Sequence, residues 1–262
     1  MFGKLLKYDL KANYKFMLIL YGLALVIAGL TRLCTVYDEI FFVRLMEKIL
    51  NGVVIGVVIN IVINCLMRLW GDFKRNLYGD EGYLTHTLPV KRAELLRAKF
   101  ATGLIFMVVS TVVIVVTLML AYLTPELKEV LQAWTETVLG GTEKVGLWVV
   151  AIGGLVMLEF MAVMCAGFMG LILGYRRLNN RMAWSVVFGF ICYIGMQWVV
   201  LAGIAVTAAV KPELSEILFG QETAMEADTL RTMMTVAISA YTVDIVVGYF
   251  LAQRWFRKID LD

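Results

Sequence analysis

Charged residues along this chain come in clusters, and between the clusters lie six long apolar stretches. Lys15 to Arg32 encloses 16 uncharged residues, and Lys48 to Arg68 encloses 19. Lys99 to Glu126 encloses 26, and Arg181 to Lys211 encloses 29. Two further stretches hold one acid each: Glu159 lies between Lys144 and Arg176, and Asp244 between Arg231 and Arg254. A helix rising about 1.5 Å per residue needs roughly 17–25 apolar residues to cross a bilayer. The pattern predicts an all-α membrane protein with six transmembrane helices, at about residues 16–36, 49–70, 100–123, 146–174, 183–210 and 233–253. The first run is short, but Arg32 can snorkel and the helix can continue to Val36. The fourth would be roughly 43 Å long if straight, against a hydrocarbon core of ~30 Å, so it must tilt, break or project.

Composition agrees with that pattern. Apolar residues make up 61% of the 262 residues, charged residues 17%, and the mean hydropathy is +0.81. Soluble domains carry about 45–50% apolar and about 25% charged residues. A globule built from this chain would lack the charges to coat its surface. The whole chain reads as a single transmembrane domain, residues 1–262.

Lys and Arg set the expected orientation. With the N-terminus inside, 17 of the 24 basic residues fall in inner segments and 7 in outer ones. The positive-inside rule then puts both termini of this multi-pass protein in the cytoplasm, as expected for a plasma membrane. A basic N-terminus followed by an apolar run also has the outline of a signal peptide. The run is long for one and no small-x-small cleavage site follows, so it is read as a retained first span. No nucleic-acid partner is expected.

Before that span, Lys4, Lys7, Lys11 and Lys15 recur at spacings of 3, 4 and 4, one stripe of a helix, with Phe2, Leu5, Leu6 and Leu10 elsewhere around the wheel. Residues 1–15 are expected to form an amphipathic interfacial helix with its lysines toward anionic headgroups; an ordinary basic flank is the alternative. Two outer segments open alike, Pro125-Glu126-Leu127-Lys128-Glu129 and Pro212-Glu213-Leu214-Ser215-Glu216. Proline in a first turn and early glutamates predict a short outer helix after the third span and another after the fifth. Gly52 and Gly56, and Gly170 and Gly174, are small-residue pairs that let helices approach closely.

The most patterned stretch lies between spans two and three, residues 71–98. It has an acidic start (Asp80, Glu81), then Gly82, Tyr83, Leu84 and Thr85, then Leu88-Pro89-Val90, and a basic helix running through Arg92, Leu95 and Leu96 to Lys99. A plain connector needs only a few residues. The acids alone could simply favour the positive end of a helix, worth about 0.3–1 kcal/mol each.

This motif resembles the inner loop of the ABC-2 type permeases, the membrane subunits of ATP-driven exporters. The form Glu-Gly-Tyr-Leu-Thr-x-Thr-Leu-Pro-Val is similar to the variant in Gram-positive bacterial members. Tyr83 stands where many of these have Thr, and His86 has no assigned role. The resemblance implies that Asp80, Glu81, Gly82, Tyr83, Leu84, Thr85, Leu88 and Pro89 belong to a coupling helix docking on a separate ATPase subunit. It implies two permease chains, identical or different, with ATP and magnesium bound by the ATPase partner and no cofactor in this chain. It also implies export of a peptide, antimicrobial or drug-like amphipathic substrate. This chain has no Gly-x-x-x-x-Gly-Lys-Ser/Thr phosphate loop, so energy must come from another chain or from a gradient.

Inside the membrane, Glu159 and Asp244 both fall near mid-span. An ionised acid there costs roughly 2.5–3.5 kcal/mol on insertion scales, so such residues face the bundle interior, a cavity or each other. They are candidates for a substrate pathway or a proton route, or for hydrogen bonds between helices in the protonated form. Asn60, Asn64 and Gln197 join them as candidate pathway residues. A proton- or ion-coupled secondary transporter using Glu159 and Asp244 is the main rival function. An enzyme is not expected. His86 is the only histidine, and Cys34, Cys65, Cys165 and Cys192 show no ligand spacing, so no metal site is expected either.

Overall fold

In the computed structural model the protein is all-helical, and the structure describes residues 2–37, 39–79, 92–124, 127–130, 132–133, 145–177, 179–211 and 227–257. Its six long helices are α1 (Phe2–Val36), α2 (Phe41–Tyr78), α3 (Arg92–Tyr122), α4 (Val145–Gly174), α5 (Arg181–Val210) and α6 (Ala227–Arg257). Each is long and apolar enough to cross a membrane. Their outward faces carry rows of exposed apolar side chains, such as Leu18, Ile19, Leu23, Val26 and Leu30 on α1 and Phe190, Ile191, Ile194, Trp198 and Leu201 on α5. Water would not tolerate so much continuous apolar surface. The chain is a multi-pass helical membrane protein.

The helices exceed the spans that their apolar runs define. At 38 residues, α2 is about 57 Å long, so its ends stand well beyond a hydrocarbon core of ~30 Å. The lysine-striped segment is not a separate element; it forms the first four turns of α1, which runs unbroken into the span. The basic stretch from Arg92 likewise continues directly into the third span as α3. The long fourth span runs as one unbroken helix of 30 residues. Residues 127–130 are helical and start on Thr124, whose Oγ1 accepts the Leu127 N–H at 3.1 Å, an N-cap arrangement. The second outer helix expected, within residues 212–226, lies outside the described residues.

The chain forms two compact units, residues 1–128 and 129–262. In the first, α1 packs on α2 and α3. Near one end Ala28, Val54 and Ala121 meet, the two alanines allowing close approach, with Ile27 and Tyr122 packed around them. At mid-length the Tyr21 and Ser110 hydroxyls share a hydrogen bond of 2.7 Å. The opposite end carries a polar cluster. Asp9 of α1 pairs with Lys99 of α3 at 2.6 Å, and Asn13 of α1 donates to Asp72 of α2. Arg68 donates to Asn13 Oδ1 at 3.3 Å and lies 3.8 Å over the Phe16 ring, and Arg75 pairs with Asp72 at 3.4 Å. Asn13 and Lys99 are buried, so these bonds add to the buried apolar side chains at this end, Phe73, Leu77 and Leu96 among them, in holding three helices together.

In the second unit, α4 and α5 pack as a hairpin, and Asn180, immediately before α5, is in the left-handed conformation at φ 49°. Asn is one of the few non-glycine residues that adopts it readily. The seam of the hairpin is made of small residues. A Cβ on Gly170 would collide with the backbone of Gly189 and Ser185, and one on Gly174 with Ser185. The pair Gly170 and Gly174 thus packs as its spacing predicted, while Gly52 and Gly56 meet nothing within 4 Å. Helix α6 packs on both partners, with Gly248 against Cys165, Met169 and Met196. Near the hairpin turn Arg177 sits over Trp184 and Phe188, which stack on each other at 5.6 Å, an aromatic group suited to a membrane interface.

Candidate functional site

The residues singled out from the sequence fall into three places. Asp80, Glu81, Gly82, Tyr83, Leu84, Thr85, Leu88 and Pro89 lie outside the described residues. The structure does describe their approach: α2 ends at Tyr78, and the Gly79 N–H closes the last turn on the Arg75 and Lys74 carbonyls. The Asp9, Asn13, Arg68, Asp72 and Lys99 cluster ties the helices on either side of that segment to α1.

Lys4, Lys7, Lys11 and Lys15 are all exposed, on the side of α1 opposite Asp9 and Asn13. Because the polar cluster fixes the other face of α1 against α2 and α3, the stripe points away from its unit. Asn60 and Asn64 bond to each other along α2: Asn64 Nδ2 donates to Asn60 Oδ1 at 2.9 Å and to the Asn60 carbonyl at 3.0 Å. Asn60 is exposed, and neither amide bonds to α1 or α3.

The second unit brings its candidates together. Glu159 of α4 accepts two hydrogen bonds on Oε1, from the Tyr193 hydroxyl at 2.6 Å and from Gln197 Nε2 at 2.9 Å, both on α5. Tyr241 of α6 donates to Gln197 Oε1 at 3.3 Å. Three helices are thus joined through one amide. Glu159 Oε2 is shut off from solvent and accepts no hydrogen bond. Asp244, one turn beyond Tyr241 on the same face of α6, is buried, and its Oδ2 is likewise unpartnered. Among the described residues neither acid forms an ion pair with Lys or Arg.

Sequence reading found Glu159, Gln197 and Asp244 but missed Tyr193 and Tyr241. The signal was present as spacing: Tyr193 and Gln197 are four apart, Tyr241 and Asp244 three apart, and each pair therefore shares a helix face. Tyrosine at mid-span passed as apolar bulk. The Asp9–Lys99 pair was missed because its members lie 90 residues apart and each looked like ordinary flanking charge.

Chemically, this arrangement can hold a negative charge or a proton at mid-membrane. Among the described residues no three His, Cys, Asp or Glu side chains converge as a metal's donor set would require. No family model matches the chain, and no curated protein or solved structure is similar to it.

Proposed function

We propose that this chain is the permease subunit of an ATP-driven exporter of the ABC-2 type, working with a separate ATPase and a second permease chain. The observation that carries the reading is the stretch Glu81-Gly82-Tyr83-Leu84-Thr85-His86-Thr87-Leu88-Pro89-Val90, set between the second and third of six long apolar helices. Two features of the fold support it. The helices on either side of that stretch continue beyond membrane length, and the buried Asp9–Lys99 and Asn13–Asp72 contacts brace them against α1. A force arriving at the adjoining ends of α2 and α3 would reach α1 through those contacts. ATP and magnesium would be bound by the ATPase, and the cargo would be an amphipathic peptide, antimicrobial or drug-like molecule moved out of a bacterial cytoplasm.

The test is purification of the tagged chain with its native neighbours. An ATPase subunit should co-purify with the wild type and be lost from Glu81→Lys, which reverses the charge offered to the partner. Equal recovery with both proteins would take Glu81 out of the interface, and recovery with neither would end the exporter reading. A second reading, a proton- or ion-coupled transporter, is favoured by one observation: Glu159 and Asp244 each keep a buried carboxyl oxygen with no partner. Uptake or export driven by an imposed pH gradient, without ATP, would decide for it.

A further inference from the structure

The hydrogen bonds around Glu159 all run one way. Tyr241 donates to Gln197, and Gln197 and Tyr193 donate to Glu159 Oε1, so each of these donor atoms is committed and Oε2 is still left with none. Asp244 repeats the situation one helical turn away: the residue is 7% exposed, and its Oδ2 has no partner. Two neutral donors on one oxygen offset part of the cost of a carboxylate at mid-membrane, and what is missing from the constellation is positive charge. The basic residues described in this unit, Arg176, Arg177, Arg181, Lys211, Arg231, Arg254 and Arg257, stand at or beyond the helix ends. A carboxylate accepts strong hydrogen bonds from ammonium and guanidinium groups, and tyrosine rings attract the same cations. Glu159, Tyr193 and Gln197 are each half-buried, so the network borders the surface of its unit.

We infer that Glu159, with Tyr193 and Tyr241 beside it and Asp244 one turn further along α6, recognises a cationic group of the transported molecule, an ammonium or guanidinium head on an apolar body. This rests on the reading of the chain as a permease for amphipathic cargo, and it names the class of that cargo. The two acids supply the counter-charge, and Gln197, bonded to both α4 and α6, links occupancy of the site to the packing of the three helices. A neutral analogue of the same size would leave the buried oxygens unmet and bind less well.

The experiment uses the full chain, purified in uncharged-detergent micelles with no ATPase present, and follows ethidium binding by fluorescence anisotropy. The wild type should bind saturably above empty micelles. Glu159→Gln, which keeps the hydrogen-bond acceptor and removes the charge, should weaken binding about tenfold or more, equivalent to ~1.4 kcal/mol. Glu159→Asp should retain most of it. Should Glu159→Gln not fold, as judged by elution and unfolding midpoint, Asp244→Asn carries the same expectation of weaker binding. Unchanged binding in the folded variants would overturn the inference. So would a wild type that binds no more ethidium than micelles, which would leave the proton as the occupant. An ATPase partner without cation binding would remove this inference alone, and cation binding without an ATPase partner would remove the exporter reading alone.

Discussion

Replacing Gly170 with alanine tests the α4–α5 hairpin with one methyl group. The added Cβ would lie 2.5 Å from the Gly189 Cα and N and 2.6 Å from the Ser185 carbonyl oxygen. All three are backbone atoms and cannot rotate away. Carbon atoms pack at about 3.5–4.0 Å, so the helices must part locally by roughly 1 Å, and the dispersion contacts along the seam weaken with them. Overpacking of this kind costs about 1–3 kcal/mol. Alanine returns up to about 1 kcal/mol through its better helix propensity, so a net loss of about 0.5–2 kcal/mol is expected. Gly154→Ala on α4 and Gly195→Ala on α5 are the internal controls, because a Cβ at either position meets nothing within 4 Å. These should hold or raise the unfolding midpoint. The assay is thermal unfolding of the purified protein at one scan rate in one detergent, with the three variants ranked against wild type. If Gly170→Ala ranks with its controls, the seam is not as tight as described and the packing argument for the second unit fails.

Two further outcomes follow from the first unit. Lys99→Met leaves Asp9 without its partner at a site where the lysine side chain is only 7% exposed, and should destabilise by about 3 kcal/mol, with the double exchange Asp9→Lys, Lys99→Asp recovering a measurable part. Unfolding midpoints of the wild type, Lys99→Met, the two single exchanges and the double exchange check it, and an additive double exchange would show that the pair does not interact. Replacing Lys4, Lys7, Lys11 and Lys15 by glutamine should reduce the anionic phospholipid retained through purification, at about 1 kcal/mol for each lysine near the surface. Mass spectrometry of the retained lipid reads the result, and an unchanged lipid profile would mean that the stripe faces something other than headgroups.

The helices were legible because lipid imposes a single rule, that long segments exclude charge, and the sequence obeys it four times and breaks it by one acid in each of two more. What the rule could not give was how far each helix continues. The span from Lys48 to Arg68 ends where charge begins, yet α2 runs on to Tyr78, because Arg68, Asp72 and Arg75 find partners on α1 and on α2 itself. Lys4 to Lys15 looked like a separate interfacial helix for a similar reason. Its lysines are regular, but the residues that bind it to the bundle, Asp9 and Asn13, are two polar side chains whose partners lie 59 and 90 residues away. Glu159 and Asp244 stood out because an acid is conspicuous in an apolar run. Tyr193 and Tyr241 did not, since only the fold brings their hydroxyls to Gln197 and Glu159.

The two units spend their polar side chains differently, and the difference bears on role. In the first, the polar cluster at one end matches donors to acceptors: Lys99 with Asp9, Asn13 with Asp72, Arg68 with Asn13. Such a cluster stabilises because little is left over. In the second, the mid-span contacts are unevenly balanced: Tyr193 and Gln197 both donate to Glu159 Oε1 and Tyr241 donates to Gln197, while Glu159 Oε2 and Asp244 Oδ2 go without. If holding helices together were the whole purpose, Gln at 159 and Asn at 244 would supply similar hydrogen bonds without the cost of a potential charge in lipid. Acids at both places are what the proposed recognition of a cationic group requires.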